Sequence, residues 1–111
     1  MIAAEVAIKK IAVLVQDSVT EFDRVGRTWD DEFSVILPER NKRQAQEVAE
    51  DIRKKIEFVY SEEQDQDKRL TFSAGIAENP LDGIEAEQLI LKAKELLGKA
   101  KAQGKNRVVV F

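Results

Sequence analysis

The chain has 111 residues, 43% apolar and 35% charged with both signs mixed, and its formal net charge is -3. That length holds one domain rather than two, and the acidic balance excludes nucleic-acid binding driven by overall charge. Neither cysteine nor histidine is present, which removes disulfides, thiolate metal sites and the usual neutral-pH base, and leaves oxygen as the donor for any metal.

Met1 to Val19 reads as a helix. Ile8, Ile11, Ala12 and Val15 recur at helical spacing among the polar Glu5, Lys9, Lys10 and Gln16. Within it, Ile11-Ala12-Val13-Leu14-Val15 also carries strand propensity. Two short alternating runs follow, Arg24 to Thr28 and Glu32 to Leu37, around a polar corner. They predict a β-hairpin with Phe33, Val35 and Leu37 on one face and Ser34 and Ile36 on the other. Pro38 ends the second strand because it cannot donate to the ladder.

The hairpin corner holds Asp30, Asp31 and Glu32. Clustered carboxylates on a rigid turn can hold a hard divalent cation, and they can equally be a solvated acidic turn. From Lys42 to Tyr60 an apolar stripe of Ala45, Val48, Ala49, Ile52, Ile56 and Val59 predicts a helix, capped by Asn41. Ser61 to Lys68 is a polar loop. Arg69 to Ala77 predicts a buried strand, in which Gly75 marks a close backbone approach or a bulge. Turn chemistry from Glu78 to Gly83 leads into a helix from Glu85 to Gln103, with Leu89, Ile90, Ala93, Leu96, Leu97 and Ala100 facing inward. Gly104 stops it, and Arg107 to Phe111 closes the chain as a strand. The order α-β-β-α-β-α-β predicts an α+β domain, with helices packed on a mainly antiparallel sheet. No apolar run approaches the ~18–20 residues of a membrane span, and no secretory signal pattern opens the chain. A cytoplasmic domain without membrane insertion is the expectation.

Four blocks, spaced over essentially the whole chain, resemble the GGDEF family of diguanylate cyclases. Arg27, Asp31, Glu32, Phe33, Leu37 and Pro38 match its hairpin signature; Ala45, Ala49-Glu50 and Ile52-Arg53 match the following helix. The run Leu70 to Ala77 looks like its Thr-x-Ser-x-Gly-x-Ala strand, and Ala100-Lys101 with Gly104-Lys105-Asn106-Arg107-Val108 resembles its closing motif. The resemblance implies a ferredoxin-like palm that condenses two GTP into cyclic di-GMP with Mg²⁺. It places Asp31 on the hairpin metal ligand, Glu32 on the adjacent catalytic carboxylate, Glu5 on a guanine-contacting residue, and Lys101 and Lys105 on phosphate contacts. Asp23 falls on the last residue of the inhibitory product site.

The departures are as specific as the matches. Trp29 and Asp30 stand where the family has two glycines, and Thr20 where the inhibitory site has its arginine. Ala93-Lys94-Glu95-Leu96-Leu97-Gly98 replaces Ala-Asp-x-Ala-Leu-Tyr. The family's first strand, with a metal-binding aspartate, has no counterpart, so residues 1–111 read as one N-terminally incomplete domain. Its absence should leave a gap between Glu32–Leu37 and Leu70–Ala77, closed by direct pairing of those strands, by a second copy or by a partner strand. The resemblance therefore implies an inactive regulatory domain with residual GTP or cyclic-di-GMP binding and weak or no Mg²⁺ binding, working as a homodimer or with a partner domain. The alternatives are an active cyclase whose first strand lies outside this chain, and a dimerisation or scaffolding module.

Overall fold

A computed structural model describes residues 2–5, 9–29, 32–65 and 70–110, with 2–5, 9–10 and 27–29 described by their backbone. In chain order the elements are β1 (Ile2–Glu5), α1 (Lys9–Asp17), β2 (Arg24–Trp29), β3 (Glu32–Ile36), α2 (Lys42–Val59), β4 (Ser73–Ile76), α3 (Ala86–Ala102) and β5 (Val108–Val110). The strands form one sheet in the order β2-β3-β1-β4-β5. β1 runs antiparallel to both β3 and β4, β2 antiparallel to β3, and only β4 and β5 are parallel.

The N-terminal segment departs from the expected helix. Residues 2–5 are a strand, and α1 begins at Lys9. A helix there would leave the facing edges of β3 and β4 without partners. The pairing of Ile2 with both Val35 and Ile76 satisfies both ladders at once. Long-range pairing thus overrides the helix propensity of Ala3 and Ala4. The gap predicted between β3 and β4 is filled by the chain's own residues, which none of the three expected routes provided.

Local signals account for the other elements. Asn41 and Gln44 form a reciprocal capping box at the start of α2, with N···O distances of 2.8 and 2.9 Å. The Gln88 side chain likewise accepts the Glu85 N–H at 3.1 Å ahead of α3. Ile11 and Val15 of α1 and Ala45, Ala49, Ile52 and Ile56 of α2 pack against Phe33, Val35, Ala74 and Ile76, covering one face of the sheet. Phe33, Val35 and Leu37 are buried while Ile36 is exposed, as the alternation predicted.

α3 covers the opposite face, over β4. Gly75 makes this possible: a Cβ there would lie 2.2 Å from the Ala93 carbonyl oxygen and 2.3 Å from the Leu97 nitrogen. The expected close approach at Gly75 is therefore the contact between β4 and the backbone of α3. Ala77, Ala93 and Leu97 fill the interface beside it.

Candidate functional site

β1 is antiparallel to both neighbours, so its C-terminal end meets the first residues of β3 and β4. Register sets Glu5 opposite Glu32 on one side and opposite Ser73 on the other. The three positions form one row across the sheet, and directly opposed residues share a face. Gly75 and Ser73 lie two residues apart on β4, so this is the face that α3 covers.

α3 brings two lysines to the row. Lys94 Nζ stands 4.0 Å from Glu32 Oε2, and Lys101 Nζ stands 3.8 Å from Glu32 Oε1. The Glu32 side chain is 15% exposed, and its Oε2 has no hydrogen-bond partner. The turn after α3 is tied to β4 and α2. There the Asn106 N–H donates to Ser73 Oγ at 3.0 Å and Asn106 Nδ2 to Glu57 Oε2 at 2.6 Å, while Arg53 Nη1 donates to Asn106 Oδ1 at 3.3 Å. Lys105 and Asn106 reach this geometry through left-handed backbone, φ 62° and 49°. Lys105 itself is exposed on that turn, and its N–H donates to the Ala100 carbonyl at 2.9 Å.

The buried oxygen of Glu32 lacks a hydrogen-bond partner, which would suit a cation. The described cations beside it, Lys94 and Lys101, would oppose a divalent one. Two unit charges 4 Å apart interact by about 4 kcal/mol at an effective dielectric near 20, and a dication beside these two ammonium groups would be repelled correspondingly more. Among the described residues no three acidic side chains come together. Asp31, the expected metal ligand, lies outside the described residues, as does Asp30. Glu5, expected at the guanine, is placed by its backbone in the central strand, opposite Glu32.

Trp29 also departs from expectation. Its backbone belongs to β2 and pairs with Glu32 after a register shift between Arg27 and Trp29. It therefore stands in the ladder rather than in the turn, where left-handed backbone would have cost it roughly 1–2 kcal/mol.

Asp23 sits apart from Glu32, at the start of the hairpin, with its side chain 1% exposed. One oxygen, Oδ2, accepts from the Thr20 N–H at 2.7 Å, from Thr20 Oγ1 at 3.0 Å and from Arg40 Nη2 at 3.0 Å. Thr20, in the place of the family's arginine, thus holds Asp23 from within its own turn. A cleft of about 450 Å³ opens here, lined by Thr20, Phe22, Asp23, Pro38, Glu39 and Arg40. The part played by Arg40 had no local signal, because it approaches Asp23 from the loop between β3 and α2. Lys94 had a weak one, as a base replacing an acid, but its proximity to Glu32 depends on where α3 crosses the sheet.

The sheet order, with helices on both faces and an acidic hairpin at one end, defines a palm-like α+β domain. The family described as "Diguanylate cyclase, GGDEF domain" matches residues 3–107. The diguanylate cyclase VdcA of Vibrio cholerae is 33% identical over 104 residues, spanning 91% of this chain and 29% of that protein. An EAL/GGDEF domain protein from M. capsulatus superposes with a TM-score of 0.80 at 24% identity, over 99% of this chain and 82% of that one. The GGDEF domain of DgcB from Caulobacter crescentus, solved in complex with c-di-GMP, gives 0.79 at 18% identity, over 98% and 75%. The chain belongs to the GGDEF domain family and is diguanylate cyclase-like. It spans less than a third of the length of the curated relatives it matches.

Proposed function

We propose that this chain is a single, catalytically silent GGDEF domain that acts as a regulatory element in cyclic-di-GMP signalling and retains GTP binding. The observation that carries the reading is the Glu32 carboxylate lying between the ammonium groups of Lys94 and Lys101. In the family role, Asp31 and Glu32 present negative charge to Mg²⁺, which would stabilise charge on the transferring phosphate. Here two lysines already neutralise Glu32, so metal binding is weak. Lys101 and Lys105 would supply the contacts to a triphosphate. The domain would work in the cytoplasm, as a homodimer or against a partner domain. None of its described helices is long and apolar enough to cross a membrane.

Asp23 supports the same reading on the product side. Its Oδ2 is engaged by Thr20 and Arg40, and the arginine that would fork onto a phosphate is absent. Tight inhibitory binding of cyclic di-GMP is not a property of this arrangement.

One observation favours the competing reading of an active cyclase. Glu5 is an acidic residue on the central strand, in register with Glu32. The two readings separate in a single assay. The chain is incubated with GTP and either Mg²⁺ or Mn²⁺, product is followed by chromatography, and GTP binding is measured by calorimetry. We expect GTP to bind and cyclic di-GMP to stay at background. Steady formation of cyclic di-GMP would establish the cyclase instead.

A further inference from the structure

The chain leaves α3 through two successive residues with left-handed backbone, Lys105 at φ 62° and Asn106 at φ 49°. Neither is glycine, and such residues keep that conformation only where their surroundings fix it. The fixing groups belong to two other elements. Ser73 of β4, itself buried, accepts the Asn106 N–H at 3.0 Å. α2 grips the Asn106 carboxamide at both ends: Arg53 Nη1 donates to Oδ1 at 3.3 Å, and Nδ2 donates to Glu57 Oε2 at 2.6 Å. A guanidinium only donates and a carboxylate only accepts, so a single orientation of the carboxamide satisfies both. Arg53 and Glu57 stand one turn apart on α2 and pair with each other at 3.4 Å. Arg53 is itself anchored by donating Nε and Nη2 to the two oxygens of Glu50, at 3.2 and 3.1 Å. The clamp therefore links the outer face of α2 to the backbone of Lys105, whose side chain is exposed on the turn.

We infer that Arg53 and Glu57 are positioning residues for nucleotide binding: by holding Asn106 they fix the left-handed turn from which Lys105 reaches a triphosphate. The inference rests on the reading that the domain retains GTP binding with Lys105 as a phosphate contact. A lysine on a turn with several backbone conformations reaches phosphate from only some of them, and affinity falls with the fraction of chains in the competent one. Glu57 separates this role from a simple charge effect. A carboxylate near a bound triphosphate repels it, so charge alone predicts that removing Glu57 strengthens binding. Its hold on Asn106 predicts the opposite sign.

The test measures GTP affinity by calorimetry on the intact chain and its variants. Glu57→Ala should weaken binding by about fivefold or more as the competent turn becomes less populated. Glu57→Gln, which keeps an acceptor for Asn106 Nδ2, should hold most of the affinity. Asn106→Gly admits the left-handed backbone without the clamp and should show the same loss as Glu57→Ala. Lys105→Ala should also weaken binding, and adding Glu57→Ala to it should cost nothing further, because the clamp acts through that lysine. Circular dichroism checks folding; the Glu57 side chain is 54% exposed and alanine is a good helix former. Should Glu57→Ala nevertheless fail to fold, Asn106→Gly carries the comparison. Unchanged or tighter binding by either folded variant overturns the positioning role. Additive losses in the double variant, or parental affinity in Lys105→Ala, overturn it equally. Each of these leaves the regulatory reading standing. Absence of GTP binding by the unaltered chain overturns the inference and the retained-GTP reading together.

Discussion

Gly75 and Gly98 are chemically identical and make opposite demands. At Gly75 a methyl group would fall on the backbone of α3, with no flexible side chain able to move aside. At Gly98, on the exposed side of the same helix, a methyl group meets nothing within 4 Å. We expect Gly75→Ala to destabilise the chain by roughly 3 kcal/mol, the upper end of overpacking costs. Gly98→Ala should stabilise it by about 0.5–1 kcal/mol, because alanine forms helix better. Chemical denaturation of the two variants checks both signs, and equal effects would remove Gly75 from its role in seating α3. The close approach at Gly75 was legible in the sequence, since a glycine within a buried alternating run marks a position where a side chain would not fit. Neither Arg40 beside Asp23 nor Lys94 beside Glu32 was legible, because each pairing depends on how separate elements dock.

Elements with a long apolar stripe were the ones that could be placed from sequence. α2 and α3 begin and end within a residue or so of expectation, because the stripe and the capping residues agree. β4 is shorter than its apolar run suggests: Ser73–Ile76 matches the four residues that β1 offers in pairing, and the ladder stops with its partner. The turn that follows is clamped to the start of α2. Lys42 Nζ lies 2.7 Å from Asp82 Oδ2, whose side chain is only 4% exposed, and the Lys42 N–H donates to Glu78 Oε1. Burial pushes the Asp82 carboxyl up, but hydrogen bonds from Lys42 and the Glu78 N–H, with the charges of Lys42 and Lys92, bring it below its ordinary 3.8. A carboxyl held lower in the folded chain than in the unfolded one stabilises fully above the unfolded value and loses that contribution as pH falls through the folded value. Asp82→Asn should therefore cost about 2 kcal/mol at pH 7. The gap between variant and parent should narrow steadily once pH drops below 3.8. Thermal melts across that range provide the comparison, and a gap that widens in acid would refute the assignment.

At the scale of the whole molecule, the sheet is two halves joined by one strand. β2 and β3 form one half, β4 and β5 the other, and β1 bonds to both. Nothing in Ile2-Ala3-Ala4-Glu5 announces this position, since two alanines and a glutamate favour helix over strand. The information lies instead in the unpaired edges that β1 satisfies. Removing residues 1–5 should expose those edges on β3 and β4 and drive self-association, visible as a larger species in analytical ultracentrifugation. A truncated chain that sediments as a stable monomer would mean that β3 and β4 can close on each other.

The middle position of β1 also bears on how the chain reaches its fold. Ile2 pairs with Val35 nearby in sequence and with Ile76 far along it. During synthesis the hairpin of β2 and β3 emerges early and can pair with β1 at once. The other edge of β1 then waits until β4 has left the ribosome. Contacts of such wide sequence separation slow folding, because loop closure must precede any gain from pairing. The interval is a window in which an open backbone edge is presented to other nascent chains. How long it lasts is set by the rate of translation across α2 and the loop beyond it.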